Sequence, residues 1–169
     1  MEIRNAEPSE FGEIGRLMVH VYSQLDGFPK KAEQPEYFKI LENVGELAKN
    51  PGTEILVAVS ADRGIAGAVV YLGDMEYYGS GATISEKKNA SGFRLLCVDP
   101  KERGKGIGRL LAMECIRKAK DKNHSQVIIH STKVMVTAWR MYENMGFKRA
   151  EDLDFNQGNF PVFGFRLSI

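Results

Sequence analysis

The sequence predicts a mixed α/β domain in which about four helices flank a central, mostly antiparallel sheet of about seven strands. Three observations lead to this prediction. The chain has 169 residues, which suits a single domain. Segments with the 3.6-residue apolar period of helices alternate with short runs rich in branched residues. Their order is strand, two helices, three strands, helix, strand, helix and two strands, so we expect one domain over residues 1–169.

The first third of the chain predicts one strand and two helices. Residues 2–7 alternate loosely between apolar and polar, and Pro8 suits the first turn of a helix. Apolar residues then follow at helical spacing, namely Phe11, Ile14, Met18, Val21, Tyr22 and Leu25. Gly27 and Pro29 end this helix. Residues 37–49 predict a second helix, which the sequence Asn50-Pro51-Gly52 ends.

The middle of the chain changes to the strand period. Residues 54–60 and 65–72 predict two strands, and the turn at 61–64 makes them a hairpin. Residues 77–92 contain glycines, serines and lysines and predict an exposed loop. Residues 93–98 then predict a third strand, which ends at Asp99-Pro100.

The last third predicts helices over 105–120 and 134–145, with a buried strand at 127–130 between them. Gly146 is expected to cap the second of these helices. Two further strands are expected at 149–155 and 162–167. Only the unit from residue 93 to residue 130 requires a parallel crossover, which is right-handed by rule.

Composition excludes several classes of protein. The net charge is +1, which favours neither a nucleic-acid nor a membrane partner. The two cysteines, Cys97 and Cys115, lie in apolar runs without metal-ligand spacing, so we expect reduced core thiols and no metal site. No apolar run approaches the ~20 residues of a membrane span. The first ten residues are too polar for a signal peptide, and we expect a cytoplasmic protein.

A glycine-rich turn between a strand and a helix is the sharpest feature of the sequence. Gly104, Gly106 and Gly108 allow the backbone to turn tightly and a ligand to approach main-chain N–H groups. The first amides of the following helix have no internal partners, and its dipole favours an anion there. Four cations surround the turn, namely Lys101, Arg103, Lys105 and Arg109.

Other phosphate-binding loops fit this turn less well. The spacing of the glycines does not match the dinucleotide fingerprint G-x-G-x-x-G, and the P-loop string G-x-x-x-x-G-K-[ST] does not occur. A loop that merely turns the chain is the alternative interpretation. The preceding strand, Pro100 and the clustered cations favour an anion site.

These residues resemble the GNAT acetyltransferase superfamily. Its signature is a strand that ends in Val-x-Pro, followed by a glycine-rich turn that opens a helix. Here the corresponding residues are Val98-Asp99-Pro100 and Arg103-Gly104-Lys105-Gly106-Ile107-Gly108. A later helix in the family carries Ala-x-x-x-Tyr-x-x-x-Gly-Phe, which corresponds to Ala138, Tyr142, Gly146 and Phe147. The element order also matches, so the resemblance covers nearly the whole chain.

The resemblance implies an acetyl-CoA-dependent N-acetyltransferase that acts on a primary amine. Backbone amides would hold the pyrophosphate, namely those of Arg103, Gly104, Lys105, Gly106, Ile107, Gly108 and Arg109. The strand end at Leu96, Cys97 and Val98 would pair with the pantetheine arm, and the amide of Cys97 or Val98 would polarise the thioester carbonyl. The amine would attack directly to give a tetrahedral intermediate. Tyr142 would then protonate the CoA thiolate as general acid.

Two of these assignments have alternatives. Tyr142 lies on the apolar face of its helix, and as residue C3 before a Gly146 cap it would pack against Phe147. Both roles are compatible, because the ring can pack while the hydroxyl reaches the site. Many family members contact the cofactor with an Asn where this chain has Met135. Ser131 or Thr132 would replace that contact, or would only cap the helix.

The general base is left open by the sequence. Some family members use a Glu in the strand before the glycine loop, but residues 93–98 contain no carboxylate. The candidates are His130, Glu76 and Asp74, together with a chain of water molecules to solvent. Cys97 is expected to be a packing residue.

The acceptor is not readable from the sequence. By resemblance, residues of the first two helices and their link would bind it, chiefly Tyr22 and Asp26. Other polar or aromatic candidates are His20, Gln24, Phe28, Asp152, Asp154 and Asn156. The resemblance allows a homodimer, because many family members are dimers, but no feature of the sequence requires one. The competing functional hypothesis is a GNAT-like domain that binds acetyl-CoA as a sensor without turnover; a nucleotide-binding protein is disfavoured by the failed fingerprints.

Overall fold

The computed structural model describes residues 1–62, 64–79 and 87–169, which form one sheet with helices on both faces. The strands are β1 (Glu2–Asn5), β2 (Thr53–Ser60), β3 (Gly64–Leu72), β4 (Ala90–Val98), β5 (Gln126–Ser131), β6 (Lys148–Arg149), β7 (Phe155–Gln157) and β8 (Phe160–Ser168). The α-helices are α1 (Phe11–Ser23), α2 (Pro35–Glu42), α3 (Ile107–Asp121) and α4 (Val136–Asn144). Part of the predicted loop at 77–92, and Arg63 of the predicted turn, lie outside the described residues.

The sheet has the order β1-β2-β3-β4-β5-β8-β6, and β7 also pairs with β8. Every pairing is antiparallel except that of β4 with β5. Helix α3 connects these two parallel strands. The mixed fold class and the single parallel crossover are therefore confirmed.

The described residues form eight strands, where the sequence suggested about seven. The difference lies in the tail, which the sequence predicted as one strand over 149–155. The chain there leaves the sheet after β6, makes a 3₁₀ turn at Glu151–Leu153 and returns as β7. Leu153 turns into the core with 3% exposure. The Asp154 carboxylate accepts a hydrogen bond from the Gly164 amide at 2.8 Å. At this position of β8 the backbone N–H is therefore bonded to a side chain and not to a neighbouring strand.

The helices also differ from the sequence prediction at their ends. Helix α2 ends at Glu42, since Asn43 leaves the helical conformation with φ −107° and ψ 35°. The Asn43 side chain donates to the Lys39 carbonyl at 2.9 Å, and a 3₁₀ segment follows at Val44–Lys49. Helix α3 starts two residues later than predicted because Gly106 is left-handed, with φ +77°. With 15 residues, α3 is the longest α-helix of the described chain, and none there is both long and apolar enough to cross a membrane.

The core consists of two apolar layers, one on each face of the sheet. Helices α1 and α2 cover one face with Ile14, Met18 and Leu41, which are fully buried. Helices α3 and α4 cover the other face through residues that include Leu111 and Tyr142. Cys97 belongs to the first layer and Cys115 to the second. Both thiols are free and buried, as expected for packing residues.

A β-bulge in β4 shapes the centre of the sheet. Ala68 of β3 pairs with Cys97, but Val70 pairs with Arg94, so one residue of β3 faces two of β4. Leu95 takes up the extra residue at φ +57°, a left-handed conformation that is uncommon for a leucine. Beyond this point β4 no longer follows β5, since the two strands pair only from Ala90 to Gly92. Their C-terminal halves separate and leave an opening in the sheet.

Candidate functional site

A cavity of about 540 Å³ lies at the opening between β4 and β5 and extends to the start of α3. Its walls come from α1, the end of β4, the glycine-rich turn and α4. Ten of the residues predicted to bind the cofactor line it, namely Leu96, Cys97, Val98, Arg103, Gly104, Gly106, Ile107, Gly108, Arg109 and Met135. Two predicted residues, Lys105 and Thr132, do not line this cavity.

The glycine-rich turn has the geometry of an anion cradle. Gly104 and Gly106 both adopt left-handed conformations, with φ +80° and +77°. A Cβ added at either position would meet nothing within 4 Å, so backbone conformation and not crowding requires glycine. Gly106 is the N-cap of α3 and makes no side-chain cap bond. The first α3 amides therefore point out of the helix with its positive dipole end, and no acidic residue lies in that first turn.

The basic residues near the turn differ in whether they form an ion pair within the chain. The Lys105 ammonium lies 2.7 Å from the carboxylate of Glu102, whose side chain is only 5% exposed. Arg103 and Arg109 are exposed and line the cavity. The positive charge available to a ligand phosphate at this end therefore comes from the two arginines and the helix amides.

The open edge of β4 offers backbone groups to the cavity. The Asp99 amide donates to the Ala66 carbonyl of β3 at 2.9 Å. Because successive amides of a strand point to opposite sides, the Val98 amide points away from β3 and into the opening. The Tyr22 hydroxyl donates to the Leu96 carbonyl at 3.1 Å, which places that backbone group on the same open side. By the same alternation the Cys97 amide points toward its β3 partner Ala68, so Val98 is the better placed of the two predicted amides.

A second cavity of about 100 Å³ adjoins the first. The two cavities share Tyr22, Leu96, Met135 and Ala138, which mark their junction. We call this second cavity the aromatic chamber. Tyrosine and phenylalanine side chains form much of its lining, namely Tyr22, Phe28, Tyr37, Tyr78, Phe93, Tyr142 and Phe155. Its other polar lining residues include Arg94, His130, Ser131, Thr132 and Gln157.

Tyr142 reaches the chamber from a helix end that fixes its position. The Gly146 amide donates to the Glu143 carbonyl and the Phe147 amide to the Tyr142 carbonyl, both at 3.0 Å. With Gly146 at φ +96°, this is a Schellman motif with Tyr142 at C3. The rings of Tyr142 and Phe147 lie 5.8 Å apart, so the predicted packing is confirmed. Burial raises the pKa of Tyr142 above the ordinary 10, so its hydroxyl is protonated at neutral pH with or without this shift.

His130 is engaged at both ring nitrogens. Its Nε2 lies 2.7 Å from the Leu153 carbonyl, and its Nδ1 lies 3.0 Å from the Tyr78 hydroxyl. A carbonyl can only accept, so Nε2 carries the proton, and in the neutral ring Nδ1 accepts from Tyr78. Burial lowers the pKa of His130, and the Arg94 charge lowers it further. The ring is therefore neutral near pH 7.

Some of the other predicted site residues line the two cavities, and others lie outside both. Tyr22 lines both cavities. Thr132 lines the chamber with a buried Oγ1 that lacks a hydrogen-bond partner in the described structure. Asp26 and Glu76 are exposed and line neither cavity. The Asp74 carboxylate accepts the Glu76 amide at 3.0 Å and caps the short turn after β3.

Several residues that line the two cavities were not among the predicted site residues. The helical period places Met141 on one face of α4 with Ala138 and Tyr142, but only the structure shows that it lines the larger cavity. Arg94 is a charged residue in the otherwise apolar run Phe93–Val98, and this contrast is a local signal that could have identified it. Glu102 belongs to the turn itself, but only the structure shows that it is buried and paired with Lys105.

Comparison with known proteins identifies the family. A family model described as an acetyltransferase (GNAT) domain matches residues 41–168. This chain belongs to the GNAT acetyltransferase family. A curated relative, the N-acetylaspartate synthetase of Danio rerio, is 35% identical over 69 residues, which are 41% of this chain and 24% of that protein. The match thus spans about a quarter of the relative's length.

Solved GNAT structures share the fold over the whole chain. An acetyltransferase of the GNAT family from Staphylococcus aureus Mu50 superposes with a TM-score of 0.75 at 19% identity, over 99% of this chain and 98% of that one. The Salmonella typhimurium protein yncA, solved with its cofactor acetyl-CoA, gives a TM-score of 0.67 at 16% identity over 99% and 92%. At these identities the likeness shows the fold. Acetyl-CoA, the family's cosubstrate, fits a cavity with a phosphate cradle at one end and an unpaired strand edge along its wall.

We expect the glycine-rich turn to bind acetyl-CoA more weakly when Gly106 is replaced by a residue with a carboxylate side chain. Gly106→Glu should weaken binding about 100-fold or more, because it sets like charge against the pyrophosphate. Gly106→Ala is the matched control: it carries the same left-handed strain of about 1 kcal/mol without the charge. Isothermal titration calorimetry with acetyl-CoA compares the two. Equal affinity of the Glu and Ala variants would contradict the cradle.

We expect His130 to make folding stability depend on pH. Its pKa in the folded chain lies below the ordinary 6.5, so the unfolded chain binds a proton that the folded chain excludes. Stability should therefore fall as the pH drops below about 6.5, down to the folded pKa of His130. Urea midpoints from pH 7.5 to 5 measure this slope.

His130→Gln should flatten that slope, whereas His20→Gln, which changes an exposed histidine, should retain it. Burial also lowers the pKa of His124, so part of the slope remains in His130→Gln. An unchanged slope in His130→Gln would mean that the ring takes up its proton equally in the folded and unfolded chain.

Proposed function

We propose that this GNAT protein transfers the acetyl group of acetyl-CoA to a primary amine. One observation carries the proposal: the anion cradle and the aromatic chamber, which contains Tyr142, open onto the same unpaired edge of β4. A ligand with phosphates at one end and a reactive thioester at the other matches that arrangement. The name of the relative, N-acetylaspartate synthetase, denotes an N-acetylated product and supports an amine acceptor.

Acetyl-CoA would lie along the larger cavity. The amides of residues 103–109 would bind its pyrophosphate, with Arg103 and Arg109 beside it. The pantetheine arm would extend the sheet at β4, where the Val98 amide is directed into the opening. The thioester would then reach the junction of the two cavities, within the region that Leu96 and Met135 share.

The amine would approach from the aromatic chamber. Its nitrogen attacks the thioester carbon, and a β4 amide stabilises the oxyanion of the tetrahedral intermediate. Collapse of the intermediate breaks the carbon–sulfur bond, and Tyr142 gives its proton to the CoA thiolate. The Tyr142 hydroxyl carries this proton at neutral pH, since even the ordinary pKa of a tyrosine, 10, lies well above 7 and burial raises it.

The proton of the amine would leave through water, and Tyr142 would regain a proton by the same route. Glu76 and Asp74 lie outside both cavities, and both nitrogens of His130 are engaged, so none of the three is positioned to accept that proton directly. We therefore assign His130 to holding Tyr78 and the Leu153 turn in place. This choice selects the water route among the alternatives that the sequence left open.

The proposal is tested by acetyl-CoA binding followed by thiol release. Acetyl-CoA is titrated first by calorimetry, and free CoA thiol is then measured with small-molecule amines and with peptides. We expect binding, and release that depends on one class of amine. Absence of binding would refute the cosubstrate assignment. Binding without release across the panel would instead support a sensor that does not turn over.

Tyr142→Phe separates catalysis from packing. The phenylalanine ring retains the contact with Phe147, so stability and acetyl-CoA affinity should change little. Turnover should fall about 100-fold, the lower range of general acid catalysis. Steady-state kcat and the calorimetric Kd are measured on the same preparations. An unchanged kcat would leave Tyr142 with a packing role only.

A further inference from the structure

Arg94 places a positive charge in the aromatic chamber that acetyl transfer itself does not use. The residue lies on β4 directly before the bulge, is half-buried and lines the chamber. The strand around it is apolar, and its neighbours Phe93 and Leu95 are buried. A guanidinium in such a position has given up part of its hydration, which is costly unless a partner compensates.

The partners of Arg94 within the described structure are neutral. Its Nη1 donates to the Tyr78 carbonyl at 2.7 Å, and its Cζ lies 5.9 Å from the centre of the Tyr78 ring. Among the described residues no carboxylate forms an ion pair with it. A guanidinium has five N–H donors in a planar fork, and one carbonyl cannot satisfy them. The fork therefore retains donors for a bidentate acceptor such as a carboxylate.

Thr132 supplies a second, independent indication that the chamber binds a polar ligand. It lines the same chamber and is 3% exposed. Its Oγ1 is buried and has no hydrogen-bond partner in the described structure. Buried hydroxyls almost always have a partner, because leaving one unsatisfied costs about 1–3 kcal/mol. An occupant of the chamber with an acceptor oxygen would satisfy it.

The other residues that line the chamber are neutral, so the charge of Arg94 dominates the electrostatic potential there. Burial raises the pKa of Tyr37 to about 12 and Arg94 partly opposes this rise. The same charge acts on Tyr22, Tyr78 and His130. It would also lower the pKa of an ammonium bound nearby, which increases the fraction of neutral amine. The chamber thus favours an anion and a neutral amine together.

We propose that Arg94 and Thr132 bind a carboxylate of the acceptor, which is therefore a small amino acid-type molecule with its carboxylate a few bonds from the amine. The volume of about 100 Å³ suits a compact molecule of this kind. The proposal rests on the proposed acetyl transfer and names its substrate class. Arg94 would act as the specificity-determining residue.

The test compares amino acids with their carboxamides, which keep the amine but lack the carboxylate. With the wild-type protein, kcat/KM for thiol release should favour the best acid over its amide by about 100-fold or more, because a desolvated ion pair is lost with the amide. Arg94→Met, which keeps the length of the side chain, should remove this preference and leave the Kd of acetyl-CoA unchanged. Arg140→Met, on the exposed face of α4, should retain the preference.

Thr132→Val tests the second contact with an isosteric side chain. It should reduce the preference for the acid about 10-fold, and Thr132→Ser should restore it. Equal use of acids and amides by the wild-type protein would overturn the proposal. So would an Arg94→Met variant that loses activity with both substrates to the same extent.

A binding measurement keeps the two proposals distinguishable. N-acetylated amino acids and their carboxamides are titrated into the protein loaded with CoA. Arg94-dependent binding of the acids without any thiol release would support the carboxylate site and refute the transfer reaction. Thiol release with no preference for the acids in either assay would support the transfer and refute the carboxylate site.

Discussion

The separation of β4 from β5 beyond Gly92 is the constraint on which the rest of the site depends. Two adjacent parallel strands normally satisfy each other's backbone groups along their length. Here the bulge at Leu95 turns the end of β4 away, so the Val98 amide is left facing a cavity. Helix α3 begins just after β4, and α4 begins just after β5. The glycine-rich turn thereby lines one cavity, and Tyr142 lines the adjoining one.

Local electrostatics divide this opening into two parts. At the α3 end, helix amides, Arg103 and Arg109 create a positive field that the nearly neutral chain lacks as a whole. In the aromatic chamber, burial keeps Tyr142 protonated and His130 neutral, and Arg94 provides the charge. The first environment suits a bound diphosphate, and the second suits a proton donor beside a leaving thiolate.

The glycine-rich turn could be predicted because its signal is local. Left-handed glycines, a helix start and nearby cations follow each other in the sequence, and no distant residue alters their meaning. The Tyr142–Gly146–Phe147 cap could be predicted for the same reason. The tail could not, because Asp154 takes the Gly164 amide and Leu153 turns into the core, and both depend on tertiary packing.

Residues whose role depends on distant partners were the ones that sequence reasoning left undecided or missed. The choice between Cys97 and Val98 requires the register with β3. His130 is engaged by Leu153 and Tyr78, which come from different parts of the chain. Arg94 gains its significance from the bulge and from the walls around it.

The measurement that tests the account most directly is amide hydrogen exchange by NMR, with and without acetyl-CoA. The open edge of β4 predicts that the Val98 amide exchanges readily in the free protein and becomes protected when acetyl-CoA binds. The Cys97 amide, already paired with β3, should be protected in both states. If acetyl-CoA binds and the exchange of Val98 is unchanged, the ligand does not use the edge that the bulge exposes, and the account is contradicted.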